Sequence, residues 1–272
     1  MAELSKDFKF KKQFGQNFIF DKNFISSIVS NFNLDENSNV LEIGAGAGVL
    51  TEVLAKSFKK VISFEIDKTL TETLLTLQNK YENLKIVFND ILNVDTEEID
   101  NMFDGNFVMI ANLPYYITSQ IIFKFLFESK KITKMFVMVQ KEVGDRFCAK
   151  HSTKDYGIPT VLINCFGSCK IVKNVSRTVF TPIPNVDSCI IEIDIDKNKF
   201  NIDKKDDFIK FVSSAFRMKR KTLYNNLTSA SYNKESVLRA LNALNLKEAV
   251  RPENLSSEDF VSLYDLLNKD KK

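Results

Sequence analysis

The stretch Asn39-Val40-Leu41-Glu42-Ile43-Gly44-Ala45-Gly46-Ala47-Gly48 constrains this chain more than any other. An apolar run stops at alternating glycines, and Val49 to Phe58 then carries apolar residues at helical spacing. The pattern reads as strand, tight turn and helix in succession. Such a unit opens a parallel sheet covered by helices. Glycine lets a backbone approach a ligand where any Cβ would clash. The glycines fall at 44, 46 and 48, which departs from G-x-G-x-x-G and weakens a phosphate-binding reading.

The alternation then repeats. Lys60 to Glu65 reads as a second strand that ends on a carboxylate, where an acid can accept hydrogen bonds from both hydroxyls of a ribose. A helix from about Lys68 to Lys80 leads to a third strand, Leu84 to Asp90, which again ends in an acid. Asp90-Ile91 either reads an adenine ring or lets Asp90 cap the turn. The fourth strand, Phe107-Val108-Met109-Ile110, runs into Ala111-Asn112-Leu113-Pro114-Tyr115-Tyr116. Asn112 offers an amide oxygen, and Leu113 or Pro114 a backbone carbonyl, enough to hold a planar exocyclic amine. The tyrosines offer faces on which a base stacks, a contact worth roughly 1–3 kcal/mol. All these candidates lie at strand carboxyl ends, where open α/β sheets bind ligands.

Further along, Ile117 to Phe127 reads as a helix, Lys134 to Val139 as a fifth strand and Gln140 to Lys150 as a helix. The sole histidine, His151, follows in a polar loop and is read as solvated. Pro159 to Phe166 and Ser188 to Ile195 are strand-like. Between them Pro182 and Pro184 stiffen a loop that would present Phe180 as a second stacking face. After Asp196 the pattern turns helical, with starts expected near Lys205, Met218, Asn233 and Ser256. Two domains are therefore expected, 1–198 and 199–272.

Two stretches concentrate basic residues. Lys9 to Phe20 interleaves Lys11 and Lys12 with aromatics ahead of a helix cap at Asp21, and suits an RNA backbone, while Gln16 and Asn17 suit a small ligand. Arg217, Lys219, Arg220 and Lys221 cluster at an expected helix start and suit phosphate. A net charge of +3 is too small to reveal a nucleic-acid partner, so any basic patch is local. The four cysteines form no CxxC pair and are not spaced with His151 as a zinc set, so reduced thiols and no metal are expected. Neither a leader-like start nor a run of 18 apolar residues is present, and a cytoplasmic protein without membrane attachment is expected.

Taken together, Lys11 to Phe18, Leu41 to Gly48, Asn112 to Tyr115, Phe180 to Ser188 and Phe216 to Leu227 resemble, in order, motifs of the ribosomal RNA small-subunit adenine dimethyltransferases, the KsgA family. The resemblance implies a Rossmann-like S-adenosylmethionine-dependent methyltransferase sheet of seven strands with a small all-helical C-terminal domain. It implies S-adenosylmethionine held by Asn17, Ile19, Gly44, Gly46, Glu65, Asp90, Ile91 and Asn112. Ile19 stands where the family usually has leucine. The loop 150–158 lacks the family's Pro-Gly and receives no role. The implied reaction is double methylation of each of two adjacent adenosines near the 3′ end of 16S rRNA, in the immature small subunit, by a monomer. Asn112, Leu113, Pro114, Tyr115 and Phe180 would surround the target base, and Lys11, Lys12, Arg217, Lys219, Arg220 and Lys221 would meet RNA. Two rivals stay open: the large-subunit adenine methyltransferases, which share Asn-Leu-Pro-Tyr, and a non-catalytic assembly factor. Gly15 and the run from Arg217 to Leu227 favour the small-subunit type.

Overall fold

The computed structural model describes Phe10, Lys11 and residues 16–269. The chain begins with α1 (Lys22–Ser30), β1 (Asn39–Ile43), α2 (Val49–Ser57), β2 (Lys60–Glu65), α3 (Thr71–Lys80) and β3 (Leu84–Phe88). It continues through α4 (Thr96–Asn101), β4 (Phe107–Asn112), α5 (Thr118–Glu128), β5 (Ile132–Gln140), α6 (Lys141–Phe147), α7 (Ile158–Cys165), β6 (Gly167–Val175) and β7 (Ser188–Ile195). Four helices follow: α8 (Lys205–Ala215), α9 (Leu223–Ser229), α10 (Lys234–Ala243) and α11 (Ser257–Lys269). No helix among the described residues is long and apolar enough to cross a membrane.

The strands form one sheet in the order β3-β2-β1-β4-β5-β7-β6. The strands from β1 to β5 are parallel, since each return passes through a helix, whereas β7 pairs antiparallel with β5. Progression reverses between β1 and β4, which opens a crevice at their carboxyl ends. Register levels that edge: Ile43 lies beside both Phe64 and Ala111, and Glu65 beside Phe88. The residues after β1, β2, β3 and β4 therefore leave the sheet together. Val40, Leu41, Val61, Met109 and Val137 are fully buried, as parallel strands covered on both faces require.

The chain divides into two compact units. One holds the described residues through Gly144 together with Lys170–Ile195, and the other holds Asp145–Cys169 and the described residues from Asp196 onward. Residues 145–169, counted with the first domain from sequence, thus cluster with the C-terminal helices. Within that second unit Phe208, Phe211 and Phe260 are fully buried, with Tyr264 packed edge-on to Phe208 at 5.2 Å.

Two sequence expectations are corrected here. Pro159–Phe166 is helix rather than strand: α7 starts behind extended Gly157, with Pro159 in its first turn, where a missing N–H leaves no helical bond unmade. A short, largely buried apolar run carries no period that separates strand from helix. The strand in this region is β6, whose alternating burial follows the period of two. The expected helix start at Met218 is also displaced. Residues 217–221 form a turn with Arg220 at φ 68°, and α9 begins after the N-cap Thr222, whose side chain accepts from Asn225 N. The start near Ser256 is a reciprocal cap: Asp259 N donates to Ser256 Oγ at 3.1 Å and Ser256 N to Asp259 Oδ2 at 2.9 Å.

Candidate active site

Gly44, Gly46 and Gly48 all take positive φ, 84°, 54° and 78°, the left-handed region open to glycine at little cost. A Cβ on Gly46 would sit 2.9 Å from the Phe18 ring, and one on Gly44 would sit 3.4 Å from the Asn112 carbonyl oxygen. The turn thus brings bare backbone between β1 and β4. Beneath it lies a cleft of about 340 Å³ lined by Asn17, Ile19, Gly44, Gly46, Glu65, Asp90, Ile91 and Asn112, all in the first unit. Every residue expected from sequence to hold the cofactor therefore borders one cavity.

Glu65 ends β2 and is buried, with both oxygens engaged: Oε2 accepts from Gly46 N and Oε1 from Asp67 N, each at 2.8 Å. These bonds tie the glycine turn to the neighbouring strand. Burial pushes the Glu65 carboxyl upward, and the backbone amides of Asp67 and Gly46 oppose that shift. Asp90 caps the turn after β3 by accepting from Leu92 N at 3.0 Å, and it also faces the cleft. Ile91 is buried beside it.

Asn112 closes β4, and its Nδ2 donates to the Asn17 carbonyl at 3.3 Å. With that nitrogen engaged, Oδ1 is the acceptor left to the cleft. The Pro114 carbonyl accepts both Ile117 N at 3.2 Å and Thr118 Oγ1 at 3.0 Å, which anchors the start of α5. Both lone pairs of that oxygen are occupied, so of the two carbonyls expected to meet an amine only that of Leu113 remains. Tyr115 lines the cleft, with its hydroxyl 3.0 Å from Ser188 Oγ, and Tyr116 is 66% exposed.

Phe180 departs from expectation. It is 2% exposed and packs in the core cluster that includes Phe18 and Ile190, because the loop is drawn inward by reciprocal backbone bonds between Phe18 and Thr181. The prolines stiffen the loop, but the ring points into the core and is not a presented face. Lys11 also departs from its expected RNA contact, since Nζ donates to Asp67 Oδ1 at 2.6 Å and to Thr69 Oγ1 at 3.1 Å. Gln16, expected to meet a ligand, borders the cleft but donates Nε2 to Asp67 Oδ2 at 2.8 Å. Lys12 and Gly15 lie outside the described residues.

In the second unit Arg217, Lys219, Arg220 and Lys221 are exposed on the turn before α9. Fully buried Asn226 holds that turn: its Oδ1 accepts from Met218 N at 2.8 Å and its Nδ2 donates to Met218 O at 3.3 Å. Asn226 and Asp67 went unseen as organising residues in the sequence. The reach of Asp67 to Lys11 and Gln16 gave no signal, because those partners lie far along the chain, whereas the Asn225-Asn226 pair after a basic run is a hint of a side chain folding back.

Two further carboxylates support the site's scaffold. Glu42 on β1 is fully buried, accepts from Ser63 Oγ at 2.5 Å through Oε2, and has no partner at Oε1. Burial raises its carboxyl to about 7, against the Ser63 and Thr51 hydroxyls and with help from the charge of Glu65. Glu52 on α2 gathers Lys22, Lys80 and the Tyr81 hydroxyl, which tie α1 and the end of α3 to it. The Lys22 bond, opposed by burial and joined by Lys80, holds Glu52 down at about 2.

A family model described as Ribosomal RNA adenine dimethylase matches residues 7–269. The Ribosomal RNA small subunit methyltransferase A of Caldanaerobacter subterraneus subsp. tengcongensis is 44% identical over 262 residues, covering 95% of this chain and 97% of that protein. The protein of the same name from Clostridioides difficile is 40% identical over 266 residues, covering 96% and 92%. Among solved structures, a dimethyladenosine transferase from Plasmodium falciparum matches with a TM-score of 0.79 at 27% identity, covering 93% of this chain and 98% of that one. The 23S rRNA methyltransferase ErmE matches with a TM-score of 0.70 at 25% identity, covering 93% and 100%.

Proposed function

Because the chain belongs to the ribosomal RNA adenine dimethylase family, and is therefore a methyltransferase, we propose that it dimethylates N6 of two adjacent adenosines near the 3′ end of 16S rRNA. The methyl donor in this reading is S-adenosylmethionine, and the substrate is the immature small subunit, met in the cytoplasm by a monomer. The observation that carries the reading is the convergence of Asn112, the glycine turn and Glu65 on one cleft.

The residues present suit that cofactor. Bare backbone at Gly44 and Gly46 leaves room that a Cβ would fill, Glu65 and Asp90 offer oxygens to hydroxyls and an amine, and Ile19 and Ile91 offer apolar surface. When bound, the sulfonium supplies an electrophilic methyl group that already carries positive charge. The chain's own task is then positioning, which suits a site without an acid–base pair. Asn112 Oδ1 and the Leu113 carbonyl accept from the exocyclic amine, whose lone pair is otherwise delocalised into the ring, and so favour a pyramidal nitrogen. Tyr115 and Tyr116 offer faces to a base that has left its stack. The turn from Arg217 to Lys221 meets phosphates, and the helical part from residue 199 onward forms the RNA-binding domain.

Transfer of labelled methyl to immature small subunits, with large subunits and free RNA in parallel, tests this reading. Label confined to adjacent small-subunit adenosines is expected. Label on the large subunit, the substrate in the name of ErmE, would replace it, and no transfer to any RNA would leave an assembly factor instead.

A further inference from the structure

We propose that Asp67 is a positioning residue that fastens the segment Gln16–Ile19 as one wall of the cofactor cleft, working beside Glu65 on the same strand end. The inference rests on the cofactor reading above.

Asp67 lies just past β2 and is 1% exposed. Its Oδ1 accepts from Thr69 N at 3.0 Å and Thr69 Oγ1 at 2.7 Å, and these two bonds alone suffice to cap the turn after the strand. The remaining bonds reach elsewhere. Lys11 Nζ meets Oδ1 at 2.6 Å, Gln16 Nε2 meets Oδ2 at 2.8 Å, and Lys11 N donates to Gln16 Oε1 at 2.8 Å. A closed ring of Lys11, Gln16 and Asp67 results, held by a charge-assisted bond to a buried carboxylate, which is stronger than its neutral counterpart. Lys11, Thr69 and Gln16 outweigh burial and keep the Asp67 carboxyl below its ordinary range, so it is charged near neutrality.

The fastened segment is the one that walls the cleft. Gln16, Asn17, Phe18 and Ile19 all line it. Asn112 Nδ2 also donates to the Asn17 carbonyl, and Phe18 exchanges backbone bonds with Thr181. The backbone of Asp67 meanwhile donates to Glu65 Oε1. The two acids thus have different targets: Glu65 holds the glycine turn, and Asp67 holds the segment Gln16–Ile19, both of which line the cleft. A ligand in this cavity gains its contacts to Asn17 and Ile19 only while that segment is in place, so weakening the ring weakens binding without touching any group that meets the ligand.

Equilibrium binding of S-adenosylhomocysteine to the full chain, measured by calorimetry, separates this role from turn capping. Lys11 does not line the cleft, so Lys11→Met opens the ring without removing a group that borders the ligand. We expect Asp67→Asn and Lys11→Met each to weaken binding about tenfold, as loss of a charge-assisted bond predicts. The double variant should be no weaker than either single one, since both remove the same bond. Thr69→Val loses the hydroxyl bonds to Asp67 and Lys11 but keeps the ring of Lys11, Gln16 and Asp67, so it should weaken binding by much less than either Asp67→Asn or Lys11→Met. Full affinity in Asp67→Asn, or weakened Asp67→Asn with unaffected Lys11→Met and weakened Thr69→Val, would overturn the proposal. Should Asp67→Asn fail to fold, Lys11→Met still decides: tenfold weaker binding supports the ring and full affinity refutes it. An unsubstituted chain that does not bind S-adenosylhomocysteine would instead remove the cofactor reading itself.

Discussion

Replacing Glu42 by glutamine should stabilise this protein at pH 8 and leave it nearly unchanged at pH 4.5. Glu42 is 0% exposed, one of its oxygens has no partner, and burial lifts its carboxyl from 4.5 to about 7. Between those values the folded chain keeps a proton that the unfolded chain has released. Folding stability attributable to this group is therefore full below pH 4.5 and is lost as pH rises through about 7. At about 1.4 kcal/mol per pH unit, the loss is about 3 kcal/mol by pH 8. Glutamine keeps the shape, still accepts from Ser63 and carries no charge to desolvate. The assay is urea unfolding of both chains at the two pH values. The pH dependence of every group not coupled to Glu42 cancels when the variant is subtracted from the unsubstituted chain. A gain at pH 8 that exceeds the gain at pH 4.5 by about 3 kcal/mol is expected. An equal effect at both values would show that Glu42 is ionised in the folded state at no cost, and the reasoning would fail.

Other perturbations follow from the same geometry. Asn112→Ala should lower the methyl-transfer rate roughly a hundredfold or more, on the scale of other active-site hydrogen bonds, while circular dichroism and melting stay close to those of the parent; an unchanged rate would remove Asn112 as the amine's acceptor. Glu52, held at about 2 by Lys22 and Lys80, contributes stability above its ordinary 4.5 that is lost as pH falls toward 2. Glu52→Gln should therefore cost on the order of 2 kcal/mol at pH 7, after allowance for screening of the exposed Lys80 and Lys56, and nothing near pH 2; a cost that persists at pH 2 would contradict the ion-pair account. Neutralising Arg217, Lys219, Arg220 and Lys221 should weaken RNA binding and flatten its salt dependence by up to ~0.9 in slope per lost phosphate contact, on the B-DNA scale. An unaltered slope would locate the RNA elsewhere.

Much of the sheet can be read from the chain because its signals are local. Each of the first four strands is an apolar run that ends in a glycine, an acid or Asn112, and parallel topology brings such ends to one edge without further information. What could not be read depends on partners distant in sequence. Phe180 looks presented beside two prolines, yet its ring is buried because Thr181 pairs with Phe18. Lys11 looks available to RNA, and Asp67 takes it. The Pro114 carbonyl looks open until α5 begins and claims it. The helix Ile158–Cys165 is hidden for a different reason, since a short, mostly apolar and largely buried run has no exposed polar face to betray its period.

The pairing of Phe18 with Thr181 also bears on how the chain is made. The cleft wall leaves the ribosome early, but the loop whose Thr181 holds Phe18 emerges only after the intervening residues are added, roughly ten to thirty seconds later at ~5–20 residues per second. Until then β1 to β4 can assemble with one side of the crevice unfinished. Nascent chains halted before Thr181 should consequently carry the sheet and the Asp67 ring but a looser cleft wall, so full affinity for a ligand arrives only once the loop that holds Thr181 is made.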